Sequence, residues 1–194
     1  MPKTYSDIER ENIKRALRRE ASRCLSVYGV KRTTVDELVQ KAGIAKGTFY
    51  LFYPSKESLF LDLIDNFSKE VEELYLDLLQ ELDENHIVTS LTEVFMAIVM
   101  KFYKDGIYRL LKEGELELIL RKTKEEKGRD YFAMNTDIFD NLFSYFFIDN
   151  NDDIASFSHA FRSILYTLLH SDEIPDMEKA LRFIIRGLVL QMVE

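Results

Sequence analysis

The chain has 194 residues, 46% hydrophobic and 31% charged, a composition that is typical of a globular protein and excludes a disordered one. Its single cysteine, Cys24, excludes an intramolecular disulfide and favours a reducing, cytoplasmic location. The formal net charge of −8 is unevenly spread, because residues 1–56 carry +6 and the remainder carries −14. A basic head on an acidic body predicts that the head meets a polyanion, although a merely solvated basic face fits the charge equally well.

The sequence has no pattern of a targeting or membrane-spanning element. Its first residues contain no apolar core of a signal peptide, and the longest apolar stretches, such as residues 94–100, are far shorter than a membrane span. We therefore expect no membrane association.

A long first helix is predicted over residues 6–28. Ser6 and Glu9 have the spacing of a capping box, and Gly29 is a residue after which helices commonly end. Cys24 lies on the apolar stripe of this helix, so we expect a buried, unreactive thiol. The stripe, with spacings of three and four, consists of Ile13, Leu17, Ala21, Cys24, Leu25 and Tyr28.

Two short helices follow. Thr34 and Glu37 form a second capping box that begins a helix reaching about Lys41, and Gly43 breaks it. The next helix covers about residues 45–52, because Pro54 disfavours helix at the residue before it. A long fourth helix is predicted over 56–82.

The rest of the chain also has helical periodicity and no alternating strand pattern. We place further helices near 88–104, 107–122, 125–147, 152–171 and 175–193. The predicted fold is all-α with about nine helices. We divide it into a helix-turn-helix head at 1–54 and a helical body at 55–194.

The second short helix has the residues that a recognition helix needs. Lys46 can contact a phosphate or a guanine edge, Gly47 allows close backbone approach, and Thr48 offers a hydroxyl and a methyl group. Tyr50 can reach a phosphate from the flank. We expect Leu38, Ile44, Phe49 and Leu59 to form the small core beneath.

Two further anion contacts are expected at other helix N-termini. Thr34 and Lys56 stand there, where free N–H groups and the helix dipole favour a phosphate.

The segment "TTVDELVQKAGIAKGTFYLFYPSKESLF" resembles the DNA-binding segment of TetR/AcrR-type transcriptional regulators, over about residues 8–62. The resemblance implies an all-helical homodimer whose C-terminal helices hold a ligand pocket and whose last two helices form the dimer interface. Many relatives carry Tyr and His where this chain has Leu51 and Phe52, and their usual basic position holds Pro54. We therefore expect some phosphate contacts to be lost or to move to Tyr53.

The body is rich in aromatic residues, and a few of them are expected to line a pocket for a small, largely apolar effector. The pocket candidates are Phe95, Phe102 and Phe139. The apolar stripes of the last two helices are too wide for one neighbour, which predicts a two-fold dimer through them. The dimer-interface candidates are Phe157, Phe161, Ile164, Leu168, Leu181, Ile184 and Leu188.

These patterns favour a ligand-responsive regulator, a repressor, that binds double-stranded DNA at an inverted repeat as a homodimer. An unidentified effector would move the 56–82 helix and change the separation of the two heads. The alternatives are a helical small-molecule-binding protein or enzyme with an incidental basic head, and a protein-interaction module. No set of catalytic residues is visible, so no enzyme activity, cofactor or metal is expected; Asp83 and His86 have ligand spacing but are interpreted as a solvated turn.

Overall fold

The computed structural model describes residues 5–112, 114–127 and 151–193, and all regular structure within these ranges is helical, as predicted. The described residues form eight α-helices: α1 Asp7–Arg32, α2 Val35–Ala42, α3 Lys46–Tyr50, α4 Lys56–Gln80, α5 Ile87–Lys104, α6 Glu115–Lys127, α7 Asn151–Thr167 and α8 Met177–Val193. Three 3₁₀ turns accompany them, Glu84–His86, Ile107–Leu111 and Leu168–Glu173. The predicted helix at 125–147 lies almost wholly outside the described residues.

Local capping explains where the first helices begin. The Ser6 hydroxyl accepts the Glu9 N–H, and the Glu9 carboxylate accepts the Ser6 N–H in return. Thr34 caps α2 by accepting the Glu37 N–H, and left-handed Gly43 (φ 69°) ends that helix. Gly29 (φ 76°) also leaves helical geometry, but it interrupts α1 rather than ending it, because a further turn continues to Arg32.

The chain forms two compact units. The head unit contains residues 1–66 and 105–128, and the body unit contains residues 67–104 and 129–194. This division differs from the predicted boundary after residue 54, because the start of α4 and the segment around α6 group with the head.

Hydrogen bonds within the head unit explain why the later segment belongs there. The Ser22 hydroxyl donates to the backbone carbonyl of Asp105 at 2.8 Å. The buried Glu115 carboxylate accepts the N–H groups of Val30 at 2.5 Å and of Lys31 at 3.2 Å, just after the Gly29 interruption. These two amides have lost the regular helical pattern, and Glu115 satisfies them.

The predicted single helix at 107–122 is therefore two elements. A 3₁₀ turn, Ile107–Leu111, is separated from α6 by a break in which Gly114 has φ 77°. Ile119 is fully buried, but Leu116 is 39% exposed.

The core of the body unit is built on α5. This helix packs against α8, which also packs against α7. The Phe95 ring of α5 lies 5.3 Å from the Phe161 ring of α7. Residues Glu84–Lys104 are, by length and composition alone, long and apolar enough to cross a membrane, which corrects the expectation that no stretch is. A core helix of a globular protein passes the same test, and 44% of this apolar window is buried within the chain.

The predicted dimer stripes turn out to face the interior of a single chain. Buried residues account for four of the seven candidates, namely Phe161, Ile164, Leu168 and Leu181. Phe157 and Leu188 are half-buried, and Ile184 is exposed. The periodicity located the apolar side of each helix correctly, but that side packs on its own body. A different face of α8 is exposed and apolar, with Phe183 69%, Ile184 49% and Leu190 38% accessible.

Candidate nucleic-acid interface

Helices α2 and α3 and the turn between them form a helix-turn-helix. In the turn, the Ile44 N–H donates to the Val39 carbonyl at 3.0 Å. The carbonyl of Ala45, the residue before α3, accepts the Thr48 N–H at 2.9 Å. Below the motif, Leu38, Phe49 and Leu59 are fully buried, while Ile44 is half-buried. This small core fixes α3 with one side outward.

The outward side of α3 carries the predicted recognition residues. Lys46, Gly47 and Tyr50 are exposed, and Thr48 is half-buried. The Lys46 ammonium lies 2.8 Å from an Asp36 carboxylate oxygen, and this hydrogen bond raises the pKa of Lys46 above its ordinary value. Four residues of the predicted set thus lie together on one surface.

Gly47 has no packing reason to be glycine in the described structure. It lies within α3, and a Cβ added there would meet nothing within 4 Å. Its missing side chain leaves room for a partner to approach the helix backbone.

At three other predicted DNA contacts, the side chains already form hydrogen bonds within the head unit. Tyr53 is 5% exposed, and its hydroxyl donates to Asp62 at 2.6 Å; burial, and then this carboxylate, raises the pKa of Tyr53. The Lys56 ammonium donates to the backbone carbonyls of Val30 at 2.8 Å and Thr33 at 2.7 Å. The hydroxyl of Thr34 accepts the N–H at the start of α2. Because Tyr53 is in the core and Lys56 ties α4 to the end of α1, we leave both out of the proposed interface.

Two residues that the sequence reasoning did not single out lie beside α3. The Tyr5 hydroxyl is 3.2 Å from Thr48 Oγ1, and the Tyr5 ring lies 6.0 Å from the Phe52 ring. The Arg10 guanidinium lies 4.9 Å from the centroid of the Phe52 ring. Both residues lie outside the motif in sequence, so its spacing could not reveal them.

The predicted pocket residues are core residues where the structure describes them. Phe95 is fully buried, and Phe102, 7% exposed, has its ring 4.7 Å from that of Phe67. Phe139 lies outside the described residues. Their role toward an effector stays a prediction.

No group of three His, Cys, Asp or Glu side chains that could hold a metal occurs among the described residues. Asp83 and His86 are exposed and 2.9 Å apart, and this hydrogen bond lowers the pKa of Asp83. Cys24 is buried, which raises the pKa of its thiol, as expected for an unreactive core cysteine.

The chain is similar to known regulators in two respects. The sequence profile described as "Bacterial regulatory proteins, tetR family" matches residues 17–63. The chain is 41% identical over 71 residues to the uncharacterized HTH-type transcriptional regulator YdgC of Bacillus subtilis, covering 37% of this chain and 36% of that protein. It is 40% identical over 52 residues to the regulator EthR of Mycolicibacterium smegmatis, covering 27% of this chain and 24% of that protein.

These sequence matches span about a third or less of the length of the curated relatives. The fold is similar over nearly the whole chain to that of the Bacillus subtilis transcriptional regulator FadR, whose structure was solved with stearoyl-CoA. The TM-score is 0.60 at 17% identity, over 93% of this chain and 97% of that one. Residues 17–63, which contain the helix-turn-helix, are thus similar to the tetR family of bacterial regulatory proteins.

Proposed function

We propose that the protein is a transcriptional regulator that binds double-stranded DNA through α3 and acts as a repressor. The observation that carries this proposal is the outward side of α3. That side carries Lys46, Gly47, Thr48 and Tyr50. No neighbouring atom of the described chain requires a glycine at position 47. The regulatory-protein profile matches residues 17–63, the similar curated proteins are HTH-type transcriptional regulators, and the basic charge of residues 1–56 suits a polyanion.

The regulator acts as a homodimer on an inverted repeat. The exposed apolar side of α8, with Phe183, Ile184 and Leu190, is the surface that supports a two-fold contact, since such a patch is unusual on a monomer. Two recognition helices that enter successive major grooves on one side of DNA must lie roughly 34–36 Å apart. The two-fold axis of the protein then coincides with that of the operator. We place this dimer in the cytoplasm, where the DNA is.

A small, largely apolar effector releases the repressor by linkage. The effector binds a body conformation in which the heads are wrongly spaced for the operator, so DNA affinity falls by the coupling free energy. The shift can be only as large as the difference between the effector's affinities for the two states. The aromatic body supports an apolar ligand, and the stearoyl-CoA bound to a regulator of similar fold suggests an acyl chain as the first probe.

The DNA-binding proposal is tested by selecting duplexes from a random pool and by gel shift on the DNA upstream of the protein's own gene. We expect one inverted repeat to be enriched. Lys46→Ala should weaken binding to all sequences and reduce the salt slope by about one unit per phosphate contact, whereas Thr48→Ala should change base preference by roughly 1 kcal/mol. Lys69→Ala, an exposed lysine of the body unit, is the matched control. Enrichment of no sequence would refute the proposal and favour a carrier or a protein-interaction module.

The effector proposal is tested separately, with stearoyl-CoA and free stearate added to the protein–DNA complex. Release of the operator by either ligand, at a concentration that leaves thermal stability of the protein unharmed, supports linkage. If the ligand binds but operator affinity is unchanged over the whole range of ligand concentration, the body is only a dimerisation platform and the effector proposal is wrong.

A further inference from the structure

The amino-terminal end of α1 is fixed to the recognition helix from outside the helix-turn-helix. The hydroxyl oxygens of Tyr5 and Thr48 are 3.2 Å apart. The Tyr5 ring packs near the Phe52 ring at 6.0 Å, and the Arg10 guanidinium lies over the same ring at 4.9 Å. Tyr5 is half-buried, so this contact is partly sheltered from solvent. Residues 5–10 therefore share a surface with α3.

The contact between Tyr5 and Thr48 restricts what the Thr48 hydroxyl can offer to a base. A free threonine hydroxyl rotates, and it donates or accepts with equal ease, so it discriminates poorly between base edges. When Thr48 donates to Tyr5, its oxygen is left to accept from DNA; when it accepts from Tyr5, its proton is left to donate. Either oxygen can be the donor in this contact, so what Tyr5 restricts is the position of the Thr48 hydroxyl oxygen beside the DNA-facing surface.

Arg10 has a different role, which follows from the position of its guanidinium over the Phe52 ring. Its side chain is exposed, yet the Phe52 ring holds the guanidinium at a defined place beside the turn that follows α3. A guanidinium held over a ring still has N–H donors in its own plane, and these can bind two phosphate oxygens at once. Phe52 itself has no hydrogen-bond donor, and Arg10 supplies one at that position.

We propose that the DNA-contacting surface extends to residues 5–10. Tyr5 is a positioning residue that holds the Thr48 hydroxyl in place and so contributes to base preference, and Arg10 contacts a phosphate. This inference rests on the proposed function, because it concerns how the same DNA is read.

The first test uses the duplex that the wild-type protein selects from a random pool, together with every single-base-pair variant of it. Tyr5→Phe keeps the ring and removes the hydroxyl. We expect Tyr5→Phe to reduce discrimination against the wrong base pair about threefold to tenfold, which is the effect of losing one hydrogen bond. The loss should occur at the same base pair at which Thr48→Ala reduces discrimination, and at no other. In a Thr48→Ala background, Tyr5→Phe should change nothing further. An unchanged panel, or the same effect in both backgrounds, overturns the role of Tyr5.

The second test compares Arg10→Gln with Arg15→Gln on the same duplex. Arg15 is an equally exposed arginine of α1, bonded to Asn12 at 2.8 Å and about 140° further round the helix. Arg10→Gln should lower the salt slope by about one unit per phosphate contact, and Arg15→Gln should leave it nearly unchanged. Equal loss in both variants overturns the contact, because net charge would then explain it. If the wild-type protein selects a duplex but all variants behave as wild type, this inference fails and the proposed function stands; if it selects none, both fail.

Discussion

Replacing Gly47 with alanine should separate folding from DNA binding. A Cβ at this position would meet nothing within 4 Å in the described structure, so the folded chain accepts the methyl group without strain. Alanine is favoured over glycine in a helix by about 0.5–1 kcal/mol, and the lower value applies near the start of a five-residue helix. The thermal midpoint should therefore rise by about 1–2 °C.

The same methyl group should weaken operator binding. If the α3 backbone lies against DNA, the added atom must displace one of the two surfaces, and overpacking of this kind costs about 1–3 kcal/mol. Affinity for the selected duplex should fall roughly fivefold to 150-fold, measured by fluorescence anisotropy at fixed salt. The contrasting variant is Gly43→Ala, whose left-handed backbone (φ 69°) should lose about 1 kcal/mol of stability while binding nearly normally when folded. Unchanged operator affinity in the stable Gly47→Ala protein would show that α3 does not approach DNA closely.

Three further outcomes are expected. Asp36→Asn frees the Lys46 ammonium and should tighten binding to unrelated duplex DNA about threefold, with the gain disappearing at high salt, as titrations at two ionic strengths would reveal. Phe183→Glu places a charge on the exposed side of α8 and should raise the dimer dissociation constant at least tenfold by sedimentation without unfolding the monomer; a dimer of unchanged strength would locate the interface elsewhere. Burial opposes ionisation of Glu20, but hydrogen bonds from the neighbouring arginines outweigh it and hold its pKa below the usual value. Glu20→Gln should then cost about 1 kcal/mol of unfolding free energy above pH ~4.3, a difference that shrinks as pH falls through the native pKa, and a pH-independent cost would contradict this account.

The helix-turn-helix could be predicted from sequence because its signals are local. Capping by Ser6 and Thr34 joins residues three apart, and Gly43 supplies the left-handed residue that ends α2. The alternation of sides along α3 also correctly separated buried Phe49 from exposed Tyr50. Within one or two helical turns, the spacing between two residues determines whether they lie on the same side of the helix, so a single sequence is enough to predict it.

The partners of polar side chains could not be predicted, because they lie far away along the chain. Lys56 donates to a carbonyl 26 residues away, and Tyr5 meets Thr48 across 43 residues. Periodicity likewise shows which side of a helix is apolar but not what covers it. For that reason Leu181 was expected at an interface and lies in the core, while Phe183 was overlooked although it is 69% exposed.

The Glu115 carboxylate has a consequence for exchanging heads between proteins of similar fold. It accepts the backbone N–H groups of Val30 and Lys31 in α1, which lie 85 and 84 residues earlier in the chain. A Cβ on Gly29 would lie only 2.9 Å from a Glu115 oxygen. A chimaera joined after residue 66 would carry Val30 and Lys31 into a new protein without their acceptor. Such a hybrid inherits the recognition surface but loses the support of the helix behind it. The exchangeable module is therefore discontinuous, and a working graft must include the segment 105–127 as well.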